Sequence, residues 1–172
     1  MLVKKALSVL ALLFISGAIT TALALPEDRH QAIEILSREA IREEAKGLTI
    51  YTGDVLIRQG SIEIKADKVT VYNEKNKVNR IIAIGKPARY QQKPEPDSGL
   101  VIASGNTIQY NLDTDIILLL KNASLIQDES TLNGEHIEYN LKQEVIRARG
   151  GDEAGKERIR MVIPPSQQPE YE

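Results

Sequence analysis

One stretch of the chain, residues 52–72, limits the fold more than any other, because apolar and polar residues alternate through most of it. The alternation runs over residues 55–58 and 62–71, and Gln59, Gly60 and Ser61 stand between the two runs as turn residues. A period of two is that of a β-strand with one buried face, and a short turn joins two such strands as a hairpin. The stretch therefore predicts paired strands with one covered face.

The same pattern returns along the chain in degraded copies. The segment NASLIQDES followed by TLNGEHIEY repeats the first copy without a gap, so that Leu132 takes the place of Ile64. A middle copy begins at GKPARYQQ and resumes at ASGNTIQY after an insertion. A Tyr-Asn pair and a further apolar run follow at Tyr72, Tyr110 and Tyr139. Such units bury their apolar faces only by stacking, so we predict an all-β domain built from repeated strand units.

The composition decides what lines the interior of that domain. The chain has no tryptophan and no cysteine, and its only phenylalanine, Phe14, precedes the repeats. The interior must therefore consist of isoleucine, leucine, valine and a few tyrosines, and β-branched residues suit a pleated, half-buried surface. A carbohydrate-binding module would normally offer aromatic platforms. The formal net charge of −2 and the lack of a basic patch argue against nucleic acid as a partner.

The chain is expected to have three parts. Residues 1–24 contain two lysines, an apolar run and the small residues Ala22 and Ala24, which predicts a secretory signal peptide cleaved after Ala24. The alternative, an uncleaved membrane anchor, would need about 20 apolar residues, and this run is shorter. Residues 25–165 form the predicted β domain, and the polar residues 166–172 are expected to be a disordered tail.

Within the domain, the sequence makes several local predictions. Residues 25–29 are expected to be loose, and residues 32–37 are expected to form the first strand. Residues 38–46 contain strong helix formers, but their place before GLTIYTGDV matches the repeat, so a strand and a turn are expected there. The insertion over residues 91–99 holds two prolines and is expected to be a surface loop.

No group of residues has the spacing of a catalytic or metal site. His30 and His136 lie in different repeats and are expected at the surface or in turns. Asp67 and Glu135 occupy equivalent repeat positions, and a catalytic carboxylate would not recur once per repeat, so both are assigned to turns. Serine and threonine lack a partnering base, and no glycine-rich phosphate loop is present. The chain is therefore predicted to bind or connect other molecules, without a cofactor, rather than to be an enzyme.

Three segments resemble the OstA-like family of periplasmic lipopolysaccharide export proteins: TGDVLIRQGSIEIKADKVTVY, IGKPARYQQ and MVIPPSQ. The resemblance implies an antiparallel, half-open β-jellyroll, folded like a taco around a hydrophobic groove. It also implies that the protein carries lipopolysaccharide across the periplasm by shielding the acyl chains of lipid A in that groove. A phenylalanine is common in the family after GKPA, where Arg89 and Tyr90 stand here; Tyr90 can replace it if its hydroxyl finds a polar neighbour.

The groove is predicted to be lined by apolar residues at alternate strand positions together with Tyr90. Two sheets with aliphatic inner faces, held apart along one side, leave a slot that suits acyl chains. The predicted lining residues are Ile33, Ile35, Ile62, Ile64, Val69, Val71, Ile82, Ile84, Tyr90, Ile108, Tyr110, Leu112, Ile117, Leu119, Leu125, Ile137 and Tyr139. A sealed core is the alternative for each of them. Glu63, Lys65 and Lys68 are assigned to the solvated outer face.

Both ends of the sheet are predicted to be open edges that join one molecule to the next. The resemblance implies the inner-membrane component LptC as partner at the first strand, with Ile33 and Ile35, and the outer-membrane component LptD at the last. Copies of the chain itself are expected to add head to tail. The last strand is expected to contain Arg158, Ile159, Arg160, Met161, Val162 and Ile163. Two prolines then end it, because proline cannot donate to a ladder.

Two functions of other classes compete with lipid transport. The first is a purely structural exported β-repeat scaffold of the cell envelope, in which the core is permanently filled. The second is a glycan hydrolase on a β-solenoid, which lacks support because the sequence has neither a pair of catalytic acids nor aromatic platforms. Binding of lipopolysaccharide, competed by a polymer without lipid A, separates the carrier from the scaffold.

Overall fold

The computed structural model describes residues 27–75, 77–94, 98–151 and 158–165. The predicted signal peptide, residues 1–24, and the predicted tail, residues 166–172, lie outside them. The described ranges contain ten strands and two short 3-10 turns, which confirms the all-β prediction, and hold no helix able to cross a membrane. The strands are β1 (Glu34–Leu36), β2 (Glu39–Glu43), β3 (Leu48–Gln59), β4 (Ile62–Glu74), β5 (Lys77–Gln92), β6 (Val101–Asn111), β7 (Ile116–Gln127), β8 (Ser130–Asn140), β9 (Val145–Arg149) and β10 (Arg160–Val162).

All ten strands form one sheet in the order β1-β3-β4-β5-β6-β7-β8-β10. β2 also pairs with β3, and β9 also pairs with β8, so each end of the sheet has two short edge strands. Every pairing is antiparallel. The six long strands from β3 to β8 follow one another as hairpins, which is the arrangement that the sequence repeats predict.

Each long hairpin has a break in register near its middle, and the breaks lie side by side across the sheet. An extra residue in one strand bends it and increases its twist. The aligned breaks therefore crease the whole sheet. Asp67 and Glu135 both lie in this crease, within β4 and β8, so their assignment to turns is wrong. The breaks fall between Thr52 and Val55, Lys65 and Lys68, Ile84 and Ala88, Ser104 and Thr107, and Leu120 and Ala123.

The crease divides the sheet into two half-sheets that pack face to face. Residues from both belong to one core cluster, and the rings of Tyr90 and Tyr110 meet edge to face across it with centroids 6.4 Å apart. The molecule is thus a half-open β-jellyroll, joined at the crease. Half-sheet I consists of β2, β9 and residues 48–52, 68–74, 77–84, 107–111, 116–120 and 136–140. Half-sheet II consists of β1, β10 and residues 55–59, 62–66, 88–92, 101–105, 123–127 and 130–134.

The strand and turn expected over residues 38–46 are confirmed as β2 followed by a 3-10 turn, Glu44–Lys46. Gly47 ends this turn with a φ of 61°, and a Cβ there would lie 2.7 Å from the backbone oxygen of Asn73. Only glycine therefore lets β3 start so close to β4. The first and last strands lie where they were expected, but each is only three residues long.

Two further local predictions are wrong. The insertion expected as a loop over residues 91–99 gives its first two residues, Gln91 and Gln92, to β5. The segment expected to be loose, residues 25–29, contains the start of a 3-10 turn, Glu27–His30, in which Asp28 is buried. The two errors have one cause, because the buried Gln92 side chain donates to the Asp28 carboxylate. This long-range contact keeps both polar segments, the one with Asp28 and the one with Gln92, in a defined conformation.

Glu63→Gln is expected to lower stability at neutral pH and to leave it unchanged in strong acid. Hydrogen bonds from Lys65 and then Arg58 hold the pKa of the Glu63 carboxyl below its usual value of 4.5. Such a group stabilises the fold above the unfolded pKa, and the contribution is lost as the pH falls through the folded pKa. The loss at neutral pH should stay below about 1 kcal/mol, because the ion pairs lie at the surface. Urea unfolding across a pH series measures it.

Lys68→Ala is the control for this prediction. Lys68 lies on the same strand, is exposed as predicted and should change stability by under about 0.5 kcal/mol at any pH. Lys65 is also exposed, whereas the Glu63 side chain keeps only 17% of its surface. A deficit of the Glu63 variant that persists in strong acid would show that packing, rather than charge, gives this residue its role.

Candidate functional site

The space between the half-sheets is filled almost wholly by aliphatic side chains. Val69, Leu119 and Ile137 have no exposed surface. Among the described residues, only Asp28, Thr49 and Gln92 are both polar and buried. A buried surface of this kind attracts hydrocarbon and excludes charged groups, because a charge left there without a partner loses its hydration.

Most of the predicted lining residues lie together in this interior. Ile35 and Leu112 are partly buried at its margin. Ile62, Ile64, Val69, Val71, Tyr90, Ile108, Tyr110, Ile117, Leu119, Leu125, Ile137 and Tyr139 are buried within it. Through the middle of the molecule they form a sealed core rather than the wall of an empty groove. Their contact with lipid stays a prediction.

The inward assignment of Ile82 and Ile84 is wrong, and Ile33, which is exposed, does not line the interior either. The inward positions of β5 belong to Ile81 and Ala83, which are buried, whereas Ile84 is 45% exposed. Ile81 pairs with the inward-facing Tyr110 on β6, and residues one position apart on a strand face opposite sides. Four apolar residues follow one another here, so alternation alone could not set the phase of the strand.

At the end of the sheet that carries β9 and β10, the interior opens into a cavity of about 470 Å³. It lies between the two half-sheets, beside β9 and β10. Its apolar wall comes from the strands, and its polar residues come from the segment around the β7–β8 turn. The cavity is lined by Leu125, Gln127, Asp128, Ser130, Thr131, Leu132, Ile146, Ala148, Ile159 and Met161.

Of the apolar residues in this cavity, only Leu125 was predicted to line the groove. Leu132 could have been found from the repeat, because it stands where Ile64 stands in the first copy. Ile159 and Met161 alternate with two arginines in the last strand, a period of two that indicates an inner face. Ile146 and Ala148 carry the same signal in β9, where arginine follows each of them.

The open side of the molecule carries an acidic residue on each lip near the cavity. Burial raises the pKa of Tyr139, and the nearby carboxylates of Glu144 and Asp128 raise it further. Glu144 follows β8 and belongs to the lip of half-sheet I, whereas Asp128 follows β7 on the lip of half-sheet II. Tyr139 therefore keeps its proton at physiological pH, and its ring remains an uncharged part of the interior.

The two ends of the sheet differ in charge. β1 and β2 together carry three glutamates and one arginine, whereas β9 and β10 carry three arginines and no acid. Each of these strands pairs on one side only among the described residues. Exposed aliphatic residues accompany both edges: Ile33 and Leu36 at the first, and Ile159, Met161, Val162 and Ile163 at the last.

The described residues contain no group of three or more histidine, cysteine, aspartate or glutamate side chains placed to hold a metal ion. His30 is exposed, and His136 lies in β8. Neither histidine belongs to the buried interior.

A model of the family described as LptA/(LptD N-terminal domain) LPS transport protein matches residues 34–145, which reach from the start of β1 to the start of β9. The chain belongs to this family. Its strand repeats, aliphatic interior and creased sheet are thus those of an LptA/LptD N-terminal-domain protein. The match covers the six long strands of both half-sheets and ends at the first residue of β9, before β10.

Several curated relatives of the LptA/LptD N-terminal-domain family are similar over most of their length. The lipopolysaccharide export system protein LptH of Pseudomonas aeruginosa is 38% identical over 84% of this chain and 85% of its own. LptA of Haemophilus influenzae is 34% identical over 87% of each chain. LptA of Escherichia coli K12 is 32% identical over 85% of this chain and 78% of its own. These relatives are export proteins, which agrees with the prediction that this chain is not an enzyme.

The fold agrees with a solved structure from the same family. The crystal structure of Pseudomonas aeruginosa LptH, described as the LptA homologous periplasmic component of the lipopolysaccharide transport device, superposes with a TM-score of 0.74 at 35% identity. The superposition covers 81% of this chain and all of that one. The predicted jellyroll is therefore confirmed.

Proposed function

We propose that the protein carries lipopolysaccharide through the periplasm, from the inner to the outer membrane, with the acyl chains of lipid A between its half-sheets. The observation that carries this proposal is the mainly aliphatic interior that opens at one end into the 470 Å³ cavity. Acyl chains can occupy such a space without leaving a polar group unpaired. Membership of a lipopolysaccharide transport family supports the choice of lipid.

Lipid reaches the middle of the molecule by parting the half-sheets along the open side, opposite the crease. The crease serves as the hinge, so no strand pairing has to break. Side-chain contacts between the half-sheets are exchanged for contacts with acyl chains, and each Å² kept from water recovers about 25 cal/mol. The sugars and phosphates stay outside the lips, because burying their charges would cost more than the chains gain.

The proposal gives each end of the sheet a partner. LptC adds at the N-terminal edge, which holds Ile33 and Ile35, and LptD adds at the C-terminal edge over residues 158–163. Copies of the chain add to one another head to tail. The acidic first edge and the basic last edge support pairing between unlike edges. Such a heterologous contact does not close on itself, so copies extend into filaments.

Transport between the two membranes requires export of the chain. Removal of the leader over residues 1–24 would leave a mature protein made of the jellyroll domain, residues 25–165, and the tail, residues 166–172.

Purified mature protein is expected to bind lipopolysaccharide, and polysaccharide freed of lipid A is expected not to compete. Displacement of fluorescent lipopolysaccharide measures both. Met161→Glu should weaken binding about tenfold or more, because it replaces an apolar part of the cavity wall, which acyl chains would contact, by a charged group. Val162→Glu is the matched control, since Val162 is next on the same strand and does not line the cavity. Competition by the delipidated polysaccharide, or no binding at all, would favour the scaffold function.

A further inference from the structure

The N-terminal edge strand of half-sheet II, β1, is too short to hold itself in place. It pairs with β3 at three positions only, and Glu34 and Leu36 are exposed while Ile35 is half-buried. Ordering the backbone of one residue costs about 1–2 kcal/mol, whereas one hydrogen bond returns about 1 kcal/mol. Contacts beyond the strand are therefore needed to keep β1 on β3.

On the N-terminal side of β1, these contacts come from one buried carboxylate. Asp28 Oδ1 accepts a hydrogen bond from the backbone N–H of Ser61 at 2.6 Å, and Oδ2 accepts one from the Ser61 hydroxyl at 2.7 Å. The side-chain amide of Gln92 also donates to Oδ2, at 3.3 Å. Asp28 thus joins the N-terminal segment to the turn between β3 and β4 and to the last residue of β5.

The turn between β3 and β4 is shaped to receive Asp28. Gly60 has a φ of 59°, which favours glycine, and a Cβ at this position would overlap the Asp28 carboxylate. The Gln59 side chain donates to the backbone oxygen of Gln31 at 3.1 Å, and two residues further on β1 begins. Residues 28–31, which we call the anchor, therefore fix the point from which β1 runs along β3.

The other edge strand at this end, β2, does not depend on the anchor. It pairs with β3 at five positions, and none of the hydrogen bonds of the anchor described above reaches it. The chain between β1 and β2 has an attachment of its own, because the backbone N–H of Arg38 donates to the backbone oxygens of Thr52 and Gly53 at 3.1 Å. Release of the anchor should therefore free β1 from its N-terminal end and leave β2 paired.

We propose that Asp28 is a positioning residue for the N-terminal junction, since it holds β1 where an incoming strand can pair with it. The inference rests on the proposed function in that a partner strand adds at this edge. Strand addition uses an ordered row of unpaired backbone groups, and a frayed strand has to be ordered before it can bind. Without the anchor, only β2 on half-sheet I offers such a row.

Hydrogen exchange in the mature chain, without lipid or partner, tests the anchor directly. Asp28→Asn leaves one acceptor oxygen for three donors. The amides of β1 should then exchange about tenfold faster than in the wild type, which corresponds to about 1.4 kcal/mol, and those of β2 should exchange as before. Ser61→Ala keeps the backbone N–H and should give a smaller increase in β1. His30→Ala, an exposed residue of the same turn, should give none.

Unchanged exchange of β1 in Asp28→Asn overturns the proposal. A similar increase in β1, β2 and the six long strands also overturns it, because Asp28 would then stabilise the fold as a whole. If Asp28→Asn does not fold, Ser61→Ala decides by the same comparison of β1 with β2.

Self-association at high concentration, measured by light scattering, tests the junction separately. Asp28→Asn should associate about tenfold more weakly than the wild type. Equal association of the two, with faster exchange of β1, would overturn the positioning role. A wild type that does not associate at all would reject the proposed head-to-tail contact, and the exchange of β1 would still decide whether Asp28 holds this strand.

Discussion

A chain ended after Gly155 is expected to remain a folded monomer and to fail completely to support growth of cells depleted of the full-length protein. β10 pairs with β8 at only three positions, and all three of its residues are exposed. Its removal therefore leaves the core in place, and thermal unfolding should shift by a few degrees at most. It also removes the C-terminal edge and one wall of the cavity. Light scattering at high concentration and growth of the depleted strain measure the two losses.

The control for this truncation is a chain ended after Pro165, which keeps β10 and lacks only the tail. It should assemble and support growth as the full chain does. If the shorter chain also assembles and supports growth, the C-terminal edge is not the junction. The N-terminal edge alone would then have to account for any assembly.

Leu119→Ala is expected to destabilise the protein by about 2–5 kcal/mol, the range for removing a large side chain from a packed core. Leu119 has no exposed surface and faces the opposite half-sheet. The neighbouring Leu118→Ala is the matched control, because Leu118 is on the outer side of β7 and should cost under about 1 kcal/mol. Urea unfolding of the two variants measures the difference in free energy.

The comparison of these two leucines decides whether the interior is closed before lipid arrives. Equal losses would mean that the half-sheets do not pack against each other and that an open groove already runs the length of the molecule. A large loss at Leu119 alone would mean that lipid replaces side-chain contacts when it enters. Added lipopolysaccharide should then stabilise the wild type, because the ligand binds the folded protein and so offsets part of the free energy that opening costs.

Alternation and repeats were enough to predict the strands, the hairpins and most of the interior. They were not enough at β5, where Ile81, Ile82, Ala83 and Ile84 are all apolar. Only pairing with the neighbouring strands decides that the small Ala83 is inside and the large Ile84 outside. The crease adds to the difficulty, because a break in register changes which residues face inward and leaves no fixed period to follow.

The polar contacts at the N-terminal end could not be predicted from local sequence. Asp28 and Gln92 are 64 positions apart, and each stands among polar residues or near prolines, which indicate loops. Tyr90 had been expected to need a polar neighbour, and Gln92 is that neighbour. The sequence also could not predict that the middle of the interior is closed. An apolar face predicts burial, but it does not show whether side chains or lipid cover that face.

The central claim, that lipid passes between the half-sheets, is tested most directly by a photo-crosslinking residue placed at Tyr110 in living cells. Tyr110 faces the interior and is 5% exposed, whereas its neighbour Gln109 lies on the outer side of the same strand. Lipopolysaccharide should be captured at position 110 and not at position 109. No capture at position 110 in a folded, normally abundant protein, or equal capture at both positions, would contradict the account.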